Sequence, residues 1–126
     1  MIAAKFDMMN AIAAELGEDN DCAVRAVAFA TSKPYTEVRD KLKRKGRKNG
    51  QVTEVETFMA VVLQYKREFT LLPEYTGHTV ISAMRMLKKG VYIVTTENHV
   101  FTVIDGEKAD YRDGAADQVE AVFLID

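Results

Sequence analysis

The sequence predicts an α+β fold, helices first and an antiparallel sheet second. Two observations carry that expectation. Up to about residue 90 the apolar residues recur at three- and four-residue steps, and beyond it they come in short β-branched runs. Asp105-Gly106, a dipeptide suited to tight hairpins, falls between two of those runs. The 126 residues hold 48% hydrophobic and 29% charged side chains, enough for one core without staples. No repeat, low-complexity tract or linker divides them, so residues 1–126 read as one domain.

Ile2, Phe6, Met9, Ile12, Ala13 and Leu16 form an apolar helical stripe that Gly17 closes. An acidic turn follows, ending in Asn20 and Asp21, both good N-cap types. From Cys22 to Thr31 the only charge is Arg25, and a helix so apolar on most sides belongs inside the domain. Pro34 suits the first turn of a third helix running to about Lys45. Gly46 and Gly50 frame a turn, after which Thr53 and Glu56 fit a capping box for a helix through Phe58, Val61, Val62 and Tyr65. Glu68 to Leu72 reads as a short strand stopped by Pro73. Thr79 caps a further helix that turns Ile81, Met84 and Leu87 inward and ends at Lys88, Lys89 and Gly90. Val91 to Thr96 and His99 to Ile104 are strands, Ala109 to Tyr111 belongs to a third, and Val119 to Ile125 closes the sheet.

Charge and cysteine content narrow the function. Seventeen Lys and Arg against nineteen Asp and Glu give a net charge of −2, far from the basic balance of a nucleic-acid-coating protein. One cysteine excludes an internal disulfide and a cysteine-based zinc cage. No apolar stretch approaches the roughly 20 residues that span a bilayer, and the first residues lack a secretory h-region. The expectation is a reduced, cytoplasmic protein with no membrane contact, no metal and no cofactor.

The candidate chemistry centres on Cys22. Free N–H groups and the positive end of the dipole at a helix start favour thiolate over thiol. A thiolate nucleophile needs an imidazole to take and hold the proton. His99 stands 77 residues later, at the head of a strand. Its ring in turn needs an acceptor to fix tautomer and orientation, and Asp110 lies across the Asp105-Gly106 hairpin, with Asp105 and Asp113 as rivals. The opposing reading makes Cys22 a small core residue and His99 a surface histidine. Glu18, Asp19 and Asp21 also work against thiolate formation.

Asn20-Asp-Cys22-Ala-Val-Arg25-Ala-Val-Ala, followed by Ser32-Lys-Pro34-Tyr35-Thr-Glu-Val38, resembles a group of small phage and prophage proteins. Gly90-Val-Tyr92-Ile-Val, Asn98-His99-Val, Val103-Ile-Asp105-Gly106 and Asp110 extend the resemblance over about residues 20–111. Such proteins look like minimal members of the papain-like cysteine peptidase superfamily. The resemblance implies a helical half whose central helix opens with the Cys, packed on a C-terminal antiparallel sheet that carries the His and its acid. It implies Cys22 as nucleophile, His99 as general base and Asp110 as orienting acid. Where the papain-like pattern generally places an oxyanion-stabilising Gln, six residues before the nucleophile, this chain has Leu16. Asn20 is the nearest amide, either an oxyanion donor beside the Cys22 N–H or a helix cap.

Other features are weighed against these. Arg39 to Lys48 holds seven basic residues and one acid but no interleaved aromatic, which suits a solvated helix end better than a nucleic-acid platform; a basic lip for an acidic partner is a further option. His78 has no second ligand at metal spacing and is the reserve base. The six methionines fit core packing, and Arg25, one turn after Cys22, either pairs with an acid such as Asp21 or reaches the site. Two functions follow: a thiol-dependent hydrolase or acyl-transfer enzyme acting on a protein or peptide amide bond, or a degenerate papain-like fold that binds a host protein.

Overall fold

A computed structural model describes residues 2–65, 67–110 and 114–126. Among them, five α-helices accompany a five-stranded antiparallel sheet. Helix α1 (Ile2–Leu16) buries Met9 and Ala13, while Leu16, the last residue of the stripe, is exposed. Gly17 turns into the left-handed region at φ 65°, so that the Glu18 N–H returns to the Ala13 carbonyl.

Helix α2 (Cys22–Thr31) is buried along its entire length, as its apolar composition requires. Helix α3 (Tyr35–Arg44) packs Tyr35, Val38 and Leu42 on it, and α4 (Val55–Gln64) adds Phe58, Val61 and Val62, each set at helical spacing. Pro34 sits at the N-cap of α3, where its lack of an N–H costs nothing. The capping box expected at Thr53 and Glu56 does not form. Glu54, not Thr53, is the N-cap residue of α4, and its side chain makes no capping bond. That offset of one residue leaves the Thr53 hydroxyl outside the helix start.

Strands β1 (Phe69–Leu71), β2 (Val91–Thr96), β3 (His99–Ile104), β4 (Glu107–Ala109) and β5 (Ala121–Ile125) stand in the order β1-β5-β2-β3-β4. The expected strands at both ends of the sheet are shorter than the sequence suggested: β4 ends at Ala109, and Tyr111 lies outside the described residues. Asp105 and Gly106 take φ 50° and 83°, the positive pair that a two-residue hairpin demands. Helix α5 (Val80–Met86) begins as expected, with the Thr79 hydroxyl accepting the Ser82 N–H at 3.2 Å. It turns Val80 and Ala83 inward, however, and Ile81 is 44% exposed. A seven-residue helix has room for one buried turn only.

The sheet has an apolar cluster on each face. Ile93, Val100, Phe123 and Ile125 pack with α2, α3 and α4, whereas Tyr92, Val94, Phe101 and Val122 pack with Val80 and Ala83. Strands that alternate between two apolar layers must be apolar throughout, which explains the continuous β-branched runs. One buried polar tie joins the helical layer to the sheet: the Thr102 hydroxyl donates to the Ala26 carbonyl at 2.7 Å. It ties α2, which opens with Cys22, to β3, which opens with His99. No helix among the described residues is long and apolar enough to cross a membrane.

Candidate active site

Cys22 is the first residue of α2 and is 7% exposed. Asp21 occupies the N-cap position, and its side chain makes no capping hydrogen bond. The first intrahelical bond runs from the Arg25 N–H to the Asp21 carbonyl, so the N–H groups of Cys22 to Val24 have no intrahelical acceptor. The positive end of the dipole lies at the sulfur.

His99 opens β3 directly after the turn at Glu97 and Asn98, and it pairs in register with Thr96, the last residue of β2. Its Nε2 lies 2.8 Å from Asp110 Oδ2, and both side chains are almost fully buried. Cys22 lines the same cavity as His99 and is near enough to raise the affinity of the imidazole for a proton. Burial by itself lowers the affinity of this ring for a proton. The hydrogen bond to Asp110 and the neighbouring Cys22 and Asp110 charges outweigh it and raise the pKa to about 9.

The structure therefore brings together Cys22, His99 and Asp110, from a helix start, a strand start and a strand end. It sets one rival apart. Asp105 accepts the Gly90 N–H at 2.8 Å and belongs to its own turn. Asp113 lies outside the described residues. His78 is exposed, its Nδ1 3.4 Å from the Ser82 hydroxyl.

Two of the three acids set against the thiolate are met by cations, and the third, Asp19, is exposed and accepts the Asn20 N–H. Glu18 is buried between Arg39 at 2.6 Å and Arg47 at 3.2 Å. Asp21 Oδ2 takes the Arg25 Nε proton at 3.0 Å and the Tyr35 hydroxyl proton at 2.7 Å. Burial and the Asp21 carboxylate push the Tyr35 phenol well above its ordinary range, which keeps it a donor. Arg25 thus pairs with Asp21, and its Nη1 donates to Asn10 Oδ1 at 2.5 Å. These pairs also absorb Arg39 and Arg47 from the two ends of the basic segment, and Lys41 lies 5.1 Å from the Tyr65 ring centre.

Cys22 and His99 line a cavity of about 170 Å³ between the α2 start, the α4 start and the β2–β3 turn. Val52, Val55 and Phe58 form its apolar wall, and Thr53 and Thr96 contribute hydroxyls. Asn20 is not among its lining residues. It is half-buried at φ 52°, its N–H bonded to the Asp19 side chain, and it is not the α2 cap either. Leu16 is 39% exposed at the end of α1. Sequence reasoning passed over Thr96, although the alternation of β-branched residues around Glu97 and Asn98 sets it opposite His99. Comparison with family models, curated proteins and solved structures found no match to this chain.

Proposed function

We propose that the chain is a thiol-dependent acyl-transfer enzyme of papain-like kind, hydrolysing an amide bond in a protein or peptide. The observation that carries this reading is the continuous chain from Asp110 through His99 to Cys22 at the wall of a cavity. Buried structural cysteines rarely carry such a partner, because an imidazole and its carboxylate are costly to bury without use.

A ring with a pKa of about 9 is an imidazolium at neutral pH and supplies the cation beside which the sulfur reacts. The thiolate attacks the carbonyl carbon, and the electron pair of the C=O bond moves onto oxygen. Collapse expels the amine, which takes its proton from His99. The neutral imidazole then accepts a proton from the water that hydrolyses the thioester, restoring the starting state. Asp110 holds the ring through Nε2 during both transfers.

A second reading, a papain-like fold that binds a host protein without catalysis, draws support from Leu16, which carries no amide and lies on the surface.

Iodoacetamide alkylation from pH 4 to 10, for the wild type and His99→Ala, tests the enzyme reading. With one cysteine in the chain, every alkylation reports Cys22. At pH 7 the variant should react at least about 10-fold more slowly, since it lacks the cation that holds the thiolate. Equal rates across the range would sink the enzyme reading and leave the binding one.

A further inference from the structure

We infer that the Thr96 hydroxyl is the side-chain donor that stabilises the oxyanion formed when Cys22 attacks, acting with the backbone N–H of Cys22. The inference rests on the acyl-transfer reading above and assigns a residue to the step that reading leaves unsupported.

Among the described residues, three buried side-chain polar atoms have no hydrogen-bond partner: Arg47 Nε, Thr53 Oγ1 and Thr96 Oγ1. The Arg47 guanidinium is otherwise held by Glu18 and the Asp19 carbonyl. Thr53 and Thr96 both line the cavity that holds Cys22 and His99, with their hydroxyl oxygens sealed from bulk solvent. A buried hydroxyl left unpaired is costly, so unpaired hydroxyls on residues of one small cavity mark a place where a polar ligand completes the bonding.

Of the two, Thr96 is placed for the reacting oxygen. It is 4% exposed and is the register partner of His99 across the antiparallel pair. Side chains so paired stand about 5 Å apart at Cβ. Cys22, Thr96 and His99 line the one cavity, so a carbonyl group held there at the sulfur, with its leaving group toward His99, lies in the space that Thr96 borders. Thr53 precedes α4, on the wall formed by Val52 and Val55 rather than on the sheet. In the step itself the S–C bond forms, the C=O π pair moves to oxygen, and that oxygen accepts protons in hydrogen bonds from Thr96 Oγ1 and Cys22 N. On collapse the pair returns and the leaving group departs.

The test compares two reagents on Cys22. Iodoacetamide alkylation is displacement at a saturated carbon and forms no oxyanion; acylation by p-nitrophenyl acetate forms one. Thr96→Val should slow acylation by about 100-fold while leaving alkylation within about threefold, and Thr96→Ser should restore acylation. Thr53→Val should leave both rates near wild type. Equal acylation by Thr96→Val and wild type would overturn the assignment, and so would a loss confined to Thr53→Val. Should Thr96→Val not fold, Thr96→Ala and Thr96→Ser carry the same comparison, with unchanged alkylation showing an intact site. If Cys22 of the wild type resists acylation altogether, the acyl-transfer reading fails instead, a result separate from any effect of Thr96.

Discussion

The start of α2 has two sides, and they are built on opposite rules. On one side lie Glu18 and Asp21, buried acids whose charges are met by Arg39, Arg47, Arg25 and the Tyr35 hydroxyl. On the other lie Cys22, His99 and the cavity, where the Thr53 and Thr96 hydroxyls have no partner. The Asp110–His99 pair is the buried charge pair on that side. Full pairing holds a fold in one arrangement, whereas polar atoms left open in a cavity await something from outside. The paired side also removes the objection that acids so near Cys22 would suppress its thiolate, because each buried carboxylate already faces a cation.

Breaking the paired side should have the largest effect on stability. Glu18→Gln leaves the Arg47 guanidinium, 2% exposed, without its counter-ion. Loss of one partner from a buried pair costs about 3–5 kcal/mol, to be read as a fall in urea stability. A loss under about 1 kcal/mol would mean that water or another group already shares that charge.

Asp110→Asn acts on the open side and changes a pH dependence. In the folded chain His99 titrates at about 9, against 6.5 for an unperturbed histidine. The folded state therefore binds this proton more tightly than the unfolded one. The stabilisation is complete below pH 6.5 and is lost as pH rises through about 9. Urea stability of the wild type should decline across that window relative to Asp110→Asn, which lacks the first of the contacts that raise the pKa. Parallel curves for the two proteins would show that Asp110 does not hold the proton on His99.

The smallest effect is expected where α2, which carries both sides, is tied to the sheet. Thr102→Val removes the buried hydroxyl bond to the Ala26 carbonyl and keeps the volume. It should cost about 1 kcal/mol. It should also slow Cys22 alkylation at pH 7 by less than His99→Ala does, since α2 loses a tether but the imidazole stays. A stability change with no change in alkylation would mean that packing alone sets the position of α2.

Much of this was legible in the chain because it depends on near neighbours. Gly17, Pro34 and Asp105-Gly106 mark their boundaries through backbone conformations that few residues tolerate. Cys22 and His99 stood out at a helix start and a strand start, which are local features, while the acid stayed open among Asp105, Asp110 and Asp113. What failed was local in form but decided elsewhere. Thr53 has the spacing of a capping box, yet α4 starts after Glu54, and Ile81 has inward spacing on a helix too short to bury it. Asn20 is the amide nearest to Cys22 along the chain, but a positive φ carries it away from the cap position, and it does not line the cavity.

The sequence by itself determined the order of elements, the burial of α2 and the residue types able to hold a proton near a thiol. Periodicity and turn chemistry report on contacts a few residues away. The tertiary structure alone decided which acid meets which base. Asp110 rather than Asp105 reaches His99, Arg25 turns to Asp21, and Glu18 draws Arg39 and Arg47 out of the basic segment. It also decided that Thr96 and Thr53 remain unpaired beside the sulfur. Charges and hydroxyls act through a few ångströms of space whatever their separation along the chain, so partners dozens of residues apart become specific only once the helices and the sheet have packed.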